Sequence, residues 1–152
     1  MNALPERKRI TPLASREDGV VSLEVVILFP VMALIILAVL EFGHLWIVRH
    51  TLTIATREGA RAAVVFVPGS DADRAAAAQQ TAQQTVTAYL QNTAKWDPDT
   101  DFTVPEPIVT PGPTGLTGGT LTVRAQTTNA LLVLHKMIKD IPVVGETTMR
   151  FE

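Results

Sequence analysis

From Val25 to Leu40 the chain carries no polar or charged side chain, and a glutamate stands at each end of this run, Glu24 before it and Glu41 after it. The wider segment, 20–48, departs from apolar character only at Ser22, Glu24, Glu41, Gly43 and His44. As a helix it is roughly 40 Å long, enough to cross a bilayer core of about 30 Å. A helix apolar on every side needs either lipid or a thick protein wrapping, and a chain of 152 residues has too little other apolar material to wrap it. A secretory signal is shorter and is followed by a small-residue cleavage pattern, which is missing after this run. A transmembrane helix over 20–48 is therefore expected.

A carboxylate in hydrocarbon is expensive, so each glutamate needs a polar boundary, a partner or a role. Glu41 lies close to the point where Trp46, Arg49 and His50 mark the return of the polar phase. It is three residues from His44, which allows an i,i+3 contact on a helix. Glu24 has two readings at this stage: a side chain at headgroup level, or a registration group that finds a cation on a neighbouring helix. A proton path linking the two is excluded, because they lie roughly 25 Å apart on one helix, on different faces, with no polar chain between.

Ahead of the run, residues 1–19 form a polar leader with Arg7, Lys8, Arg9 and Arg16, but Arg49, Arg57 and Arg61 follow the run. The basic residues therefore lean only slightly toward a cytoplasmic N-terminus. Charged residues make up 18% of the chain and the net charge is −2, so there is no basic field for nucleic acid. No cysteine is present, which removes disulfides and thiolate metal sites.

Beyond His50 the helix is expected to continue outside the membrane over 49–67. Ala55, Gly59 and Ala63 fall four apart and make a small-residue stripe along which another element can pack, either the chain's own distal part or a neighbouring subunit. Arg57 and Arg61 bracket Glu58 on adjoining faces. Pro68 and Gly69 break the helix, and Ser70 with Asp73 predicts a new N-terminus. A second, amphipathic helix is expected over Ala75 to Thr93, with Ala82, Val86, Tyr89 and Leu90 inward and a glutamine- and threonine-rich outer face.

Prolines between Asp97 and Pro113 disfavour a central strand there. Asp97, Asp99 and Asp101 alternate, yet Pro98 and the lack of a loop glycine and distal glutamate argue against an EF-hand. Strands are expected over Thr120 to Thr127 and Glu146 to Phe151. The stretch "NALLVLHKMIKDIPVVG" between them reads as a short helix or loop packed on the sheet, with contact between Lys136, Lys139 and a membrane surface as the other option. The fold class is α+β: a long N-terminal transmembrane helix continuing into a distal domain, 70–152, with a second helix and a small antiparallel sheet.

Neither a catalytic nor a cofactor motif is present. His44, His50 and His135 are the only histidines and none sits at metal-ligand spacing. There is no GxSxG elbow, no phosphate-binding GxxxxGK[ST] loop and no cysteine nucleophile, so neither enzyme activity, a metal nor a cofactor is expected.

The stretch "GVVSLEVVILFPVMALIILAVLEFGHLWIVRHTLTIATREGARAAVV" resembles the TadE-like family of tight-adherence (Tad/Flp) pilus proteins. The matching positions are Gly19, Glu24, Pro30, Glu41, Phe42, Gly43, Arg57, Glu58, Gly59, Ala60 and Arg61, and the close "TTMRFE" is also similar. Val25 stands where the family often has phenylalanine, and Thr56 where alanine is commoner. The resemblance implies a minor pilin or pseudopilin in the bacterial inner membrane, single-pass, with the distal domain outside the cytoplasm. It also implies a prepilin peptidase that cuts after Gly19, making Val20 the first residue and Glu24 the fifth. The implied partners are the major pilin, other minor pilins, the inner-membrane assembly platform and membrane lipid. A rival reading is a membrane-tethered binding or sensor module that keeps its leader, motivated by the acidic "RED" before the cut and by Val25.

Overall fold

The computed structural model describes residues 16–65, 68–96, 101–128, 130, 131, 133 and 141–151, with side chains from Leu23 onward. Helix α1 spans Arg16–Ala63, helix α2 spans Asp71–Tyr89 and leads into a π-helical turn at Leu90–Ala94. Three strands follow: β1 (Ile108–Gly112), β2 (Gly115–Thr127) and β3 (Val143–Arg150), an antiparallel sheet in the order β1-β2-β3. The fold class is α+β. The chain divides into two compact units, one ending at Val39 and the other running from Leu40 to Glu152.

Within the first unit, the described part is helix alone. Its side chains from Leu23 to Val39 are exposed on every face, Leu37 being only partly covered. Pro30 sits inside the helix. α1 begins at Arg16, ahead of the 20–48 span expected from hydropathy.

The second unit has its own core. The last part of α1 contributes Val48, Leu52, Ala55, Ala60 and Ala63, α2 contributes Ala78, Ala82 and Val86, and Leu90 follows from the π-helical turn. Ser70 starts α2 by accepting the Asp73 N–H at 3.3 Å while its hydroxyl donates to Asp73 Oδ2 at 2.6 Å. That cap puts the helix start at Asp71 rather than Ala75. At the other end the π-helical turn closes at Lys95, which is left-handed (φ 60°), and Trp96 N–H donates to Leu90 O at 3.2 Å.

β2 extends further back than its alternating stretch alone suggested, to Gly115, and pairs with β1 through a tight turn at Pro113 and Thr114. The prolines argue against a central strand in this segment, and β1 is an edge strand. It forms because it lies at the sheet edge, where a missing N–H is tolerated. Leu121, Val123, Ala125 and Thr127 face the core, opposite Met149, Thr147, Gly145 and Val143 of β3. On the outer face Arg124 Nε lies 2.9 Å from Glu146 Oε2, and the hydroxyls of Thr122 and Thr148 meet at 3.0 Å.

Two glutamines anchor α2 to the segment leading into β1: Gln79 donates to Pro107 O at 2.8 Å and Gln83 to Val104 O at 3.3 Å. Asp71 ties the start of α2 to the β1–β2 turn by accepting the Leu116 N–H at 3.0 Å. The polar face of α2 is thus partly used internally.

α1 meets the sheet at one close approach. A Cβ placed on Gly145 would come within 2.6–2.8 Å of the backbone and Cβ of Leu52, so only glycine lets β3 lie this near α1. Gly43, by contrast, faces open space. Gly145→Ala is expected to cost about 1–3 kcal/mol through overpacking against backbone that has nowhere to move. Gly43→Ala is expected to leave stability unchanged or raised, by up to about 1 kcal/mol of helix propensity. Thermal unfolding of both variants of the full chain in detergent checks this contrast.

Candidate functional site

The chemistry-bearing residues of this chain lie along α1, in three stretches with different surroundings. In the first, Gly19 and Val20 fall in the opening turns of the helix. Glu24 is exposed among Leu23, Val25, Val26 and Ile27, all exposed as well. The helix here offers lipid-compatible surface on every side with one carboxylate set into it.

At the second stretch the surroundings change within one turn. Leu40 and Phe42 are exposed, yet Glu41 between them is only 4% exposed. Its Oε1 accepts the backbone N–H of Val133 at 2.5 Å. A charge-assisted bond of this kind holds the chain just after β2 onto α1 at the end of the apolar run. The sequence suggests His44 as the contact that softens the cost of Glu41; one partner in the structure is a backbone donor 92 positions away. His44 instead lines a small polar recess with Val48, Trp96, Asp101 and Thr127, and Thr127 Oγ1 donates to Asp101 O.

One turn on, Trp46 and Ile47 are exposed while Val48 is buried. Trp46, Arg49, His50, Thr53 and Arg57 line one shallow depression on the open side of α1. These spacings place an aromatic ring and basic side chains along one stripe.

The third stretch is "REGAR". Arg57, Glu58 and Arg61 are exposed, and Gly59 and Ala60 are buried. A Cβ on Gly59 would lie 2.5 Å from Val86 Cγ2 and 3.0 Å from Ala82 O, so α2 crosses α1 at this glycine. Ala55 and Ala63, one turn to either side, are buried too. The small residues face the chain's own second unit, and the charges flank that seam on the outside.

Two groups that matter here have partners that no sequence pattern announces. Thr56 is fully buried, and its hydroxyl donates to Thr53 O at 3.1 Å and meets Thr147 Oγ1 at 3.0 Å, linking α1 to β3. That bond gives a physical reason for threonine at a position where alanine is commoner in the resembled family. Val133 N–H is the other, since no spacing rule points from a loop backbone to a helix glutamate. Asp97, Asp99, His135, Lys136 and Lys139 lie outside the described residues. Among the described residues no group of three or more His, Asp or Glu is placed to hold a metal ion.

Residues 19–61 match the TadE family model, described as TadE-like protein. The matched segment runs from the glycine before the apolar run to the last arginine of "REGAR", and so covers all three stretches. No curated protein and no solved structure matches the chain at a significant level.

Two substitutions separate the roles of these stretches. Glu41→Ala is expected to speed hydrogen exchange around Val133 about tenfold or more, equivalent to about 1.4 kcal/mol, while α2 keeps its protection. Gly59→Leu is expected to do the reverse, loosening α2 through overpacking of about 1–3 kcal/mol at the seam. Exchange followed by mass spectrometry on the full chain reads both regions in one experiment.

Proposed function

We propose that this chain is a structural, non-enzymatic subunit of a tight-adherence pilus: a minor pilin or pseudopilin anchored in the bacterial inner membrane by α1. The TadE-like segment supports association with a Tad pilus. One observation carries the finer reading. α1 is the one helix among the described residues long and apolar enough to cross a membrane, and from Leu23 to Leu40 it is exposed on every face, with Glu24 near the start of that stretch.

In this reading a prepilin peptidase removes residues 1–19 on the cytoplasmic side. Val20 then carries the new terminal amine, and Glu24 lies about one helical turn from it. When apolar helices stack in a bundle, the carboxylate of one subunit is matched by the ammonium group of a neighbour. A desolvated pair of this kind discriminates against wrong registers more than it adds net stability. The distal unit remains outside the cytoplasm, where Arg57, Glu58 and Arg61 are free to meet the major pilin, other minor pilins or the assembly platform.

The helix imposes a condition on processing. The Gly19–Val20 bond lies inside α1, so the peptidase must unwind that turn before it can reach the carbonyl. Gly19 eases this, since glycine is about 1 kcal/mol less favourable in a helix than alanine. The same continuity of α1 through Gly19 is the observation that favours the second reading, a tethered binding or sensor module that keeps its leader.

Intact mass and N-terminal sequencing of the protein recovered from membranes decide between them. The pilin reading expects a start at Val20, lost when Gly19 is replaced by a bulky residue. Glu24→Ala is then expected to be processed normally yet missing from sheared pili. A start at Met1 in cells that contain the peptidase overturns the pilin reading in favour of the tethered module.

A further inference from the structure

The sheet has a defined direction along α1. Gly145 lies against Leu52 and the Thr147 hydroxyl meets that of Thr56. Two residues along β3 cover about 6.6 Å, and four along α1 about 6 Å, so strand and helix advance together. Following β3 back from Gly145 therefore leads toward the apolar end of α1, and the paired residues Thr127 and Val143 lie at that end of the sheet. The recess that joins Thr127 to His44 and Val48 agrees with this direction. Both ends of the β2–β3 connection leave the sheet there.

The connection reaches further still, to Glu41, through the bond from Val133 N–H. Glu41 is five residues before Trp46, about 7.5 Å deeper along the helix than the aromatic that marks the interface. At this level α1 is open to its surroundings, with Leu40 56% and Phe42 69% exposed. Of the described residues of the connection, Val133 is 51% and Ile141 40% exposed.

From this juxtaposition we infer that Val133, held beside α1 at Glu41, enters the lipid interface as a second and shallow membrane contact. It rests on the reading of α1 as the membrane anchor. A bilayer that covers Leu40 and Phe42 covers Val133 too, because a hydrogen bond holds the two elements at one depth. The depth of about 7.5 Å from Trp46 falls within the 5–10 Å typical of interfacial insertion. Non-helical backbone at that depth needs its N–H groups satisfied from within the protein. Glu41 supplies the acceptor, which gives a carboxylate at the edge of the apolar run a positive role.

The chain lacks cysteine, so single cysteines give unique labels. Leu34→Cys, Val133→Cys and Thr117→Cys, each carrying an environment-sensitive fluorophore, are compared in the full chain in nanodiscs with lipids brominated near the top of the acyl chains. The Val133 label is expected to lose roughly half or more of its emission, as befits a group 5–10 Å inside the interface. The Leu34 label is quenched as well and the Thr117 label is unchanged. Glu41→Ala in the Val133→Cys background is expected to reduce the quenching, and unchanged quenching there overturns the holding role of Glu41. Quenching at Leu34 with none at Val133 beyond that at Thr117 overturns the second contact and leaves the membrane anchor standing. No quenching at Leu34 removes the anchor itself, and the inference with it.

Discussion

The structure depends on one helix that serves two surroundings. From Val25 to Leu40 the side chains of α1 are apolar and exposed on every face, Leu37 being partly covered, so this surface is suited to hydrocarbon. From Val48 onward the same helix carries a stripe of buried Leu52, Ala55, Ala60 and Ala63, which is the floor of the second unit's core. α2 and the sheet are both packed on this stripe. Small residues make it possible: Gly59 on the helix admits α2, and Gly145 on β3 admits the helix. A short distal chain with few large apolar residues gains much of its core by borrowing the end of its own anchor.

The charged groups are placed where the two surroundings meet or end. Glu24 sits near the start of the apolar run and Glu41 at its finish, the latter holding the Val133 backbone. Arg57, Glu58 and Arg61 flank the buried pair of Gly59 and Ala60 and point away from the core. "REGAR" is therefore two devices in one stretch, a packing seam inward and a charged ridge outward. The first serves the fold of a single chain, and the second is available for assembly.

Patterning made the long helix, the second helix and the two long strands legible, because each has an unbroken period and clear stop signals. The small-residue stripe at Ala55, Gly59 and Ala63 was visible from spacing alone, but its partner was not: two helices of the same chain and two of different chains ask for the same residues. The prolines around β1 excluded a central strand, and the strand lies at the edge, but nothing in its five residues fixed where it pairs. α2 started earlier than its apolar face because Ser70 fixes the start through a cap and not through hydrophobicity. The partner of Glu41 was illegible in principle, since a loop N–H carries no residue-type signature.

The account turns on the change of surroundings along α1, and collision accessibility of spin labels measures it directly. Single cysteines scanned along α1 from Leu23 to Ala63 of the full chain in nanodiscs are read with oxygen, which partitions into lipid, and with a water-soluble nickel complex. The account predicts high oxygen access without periodicity up to Leu40, then protection repeating about every 3.6 residues from Val48 onward. Nickel access equal to that of a water-exposed site throughout the first part would contradict it, since α1 would then be no membrane anchor and Glu24 no longer a charge set in hydrocarbon.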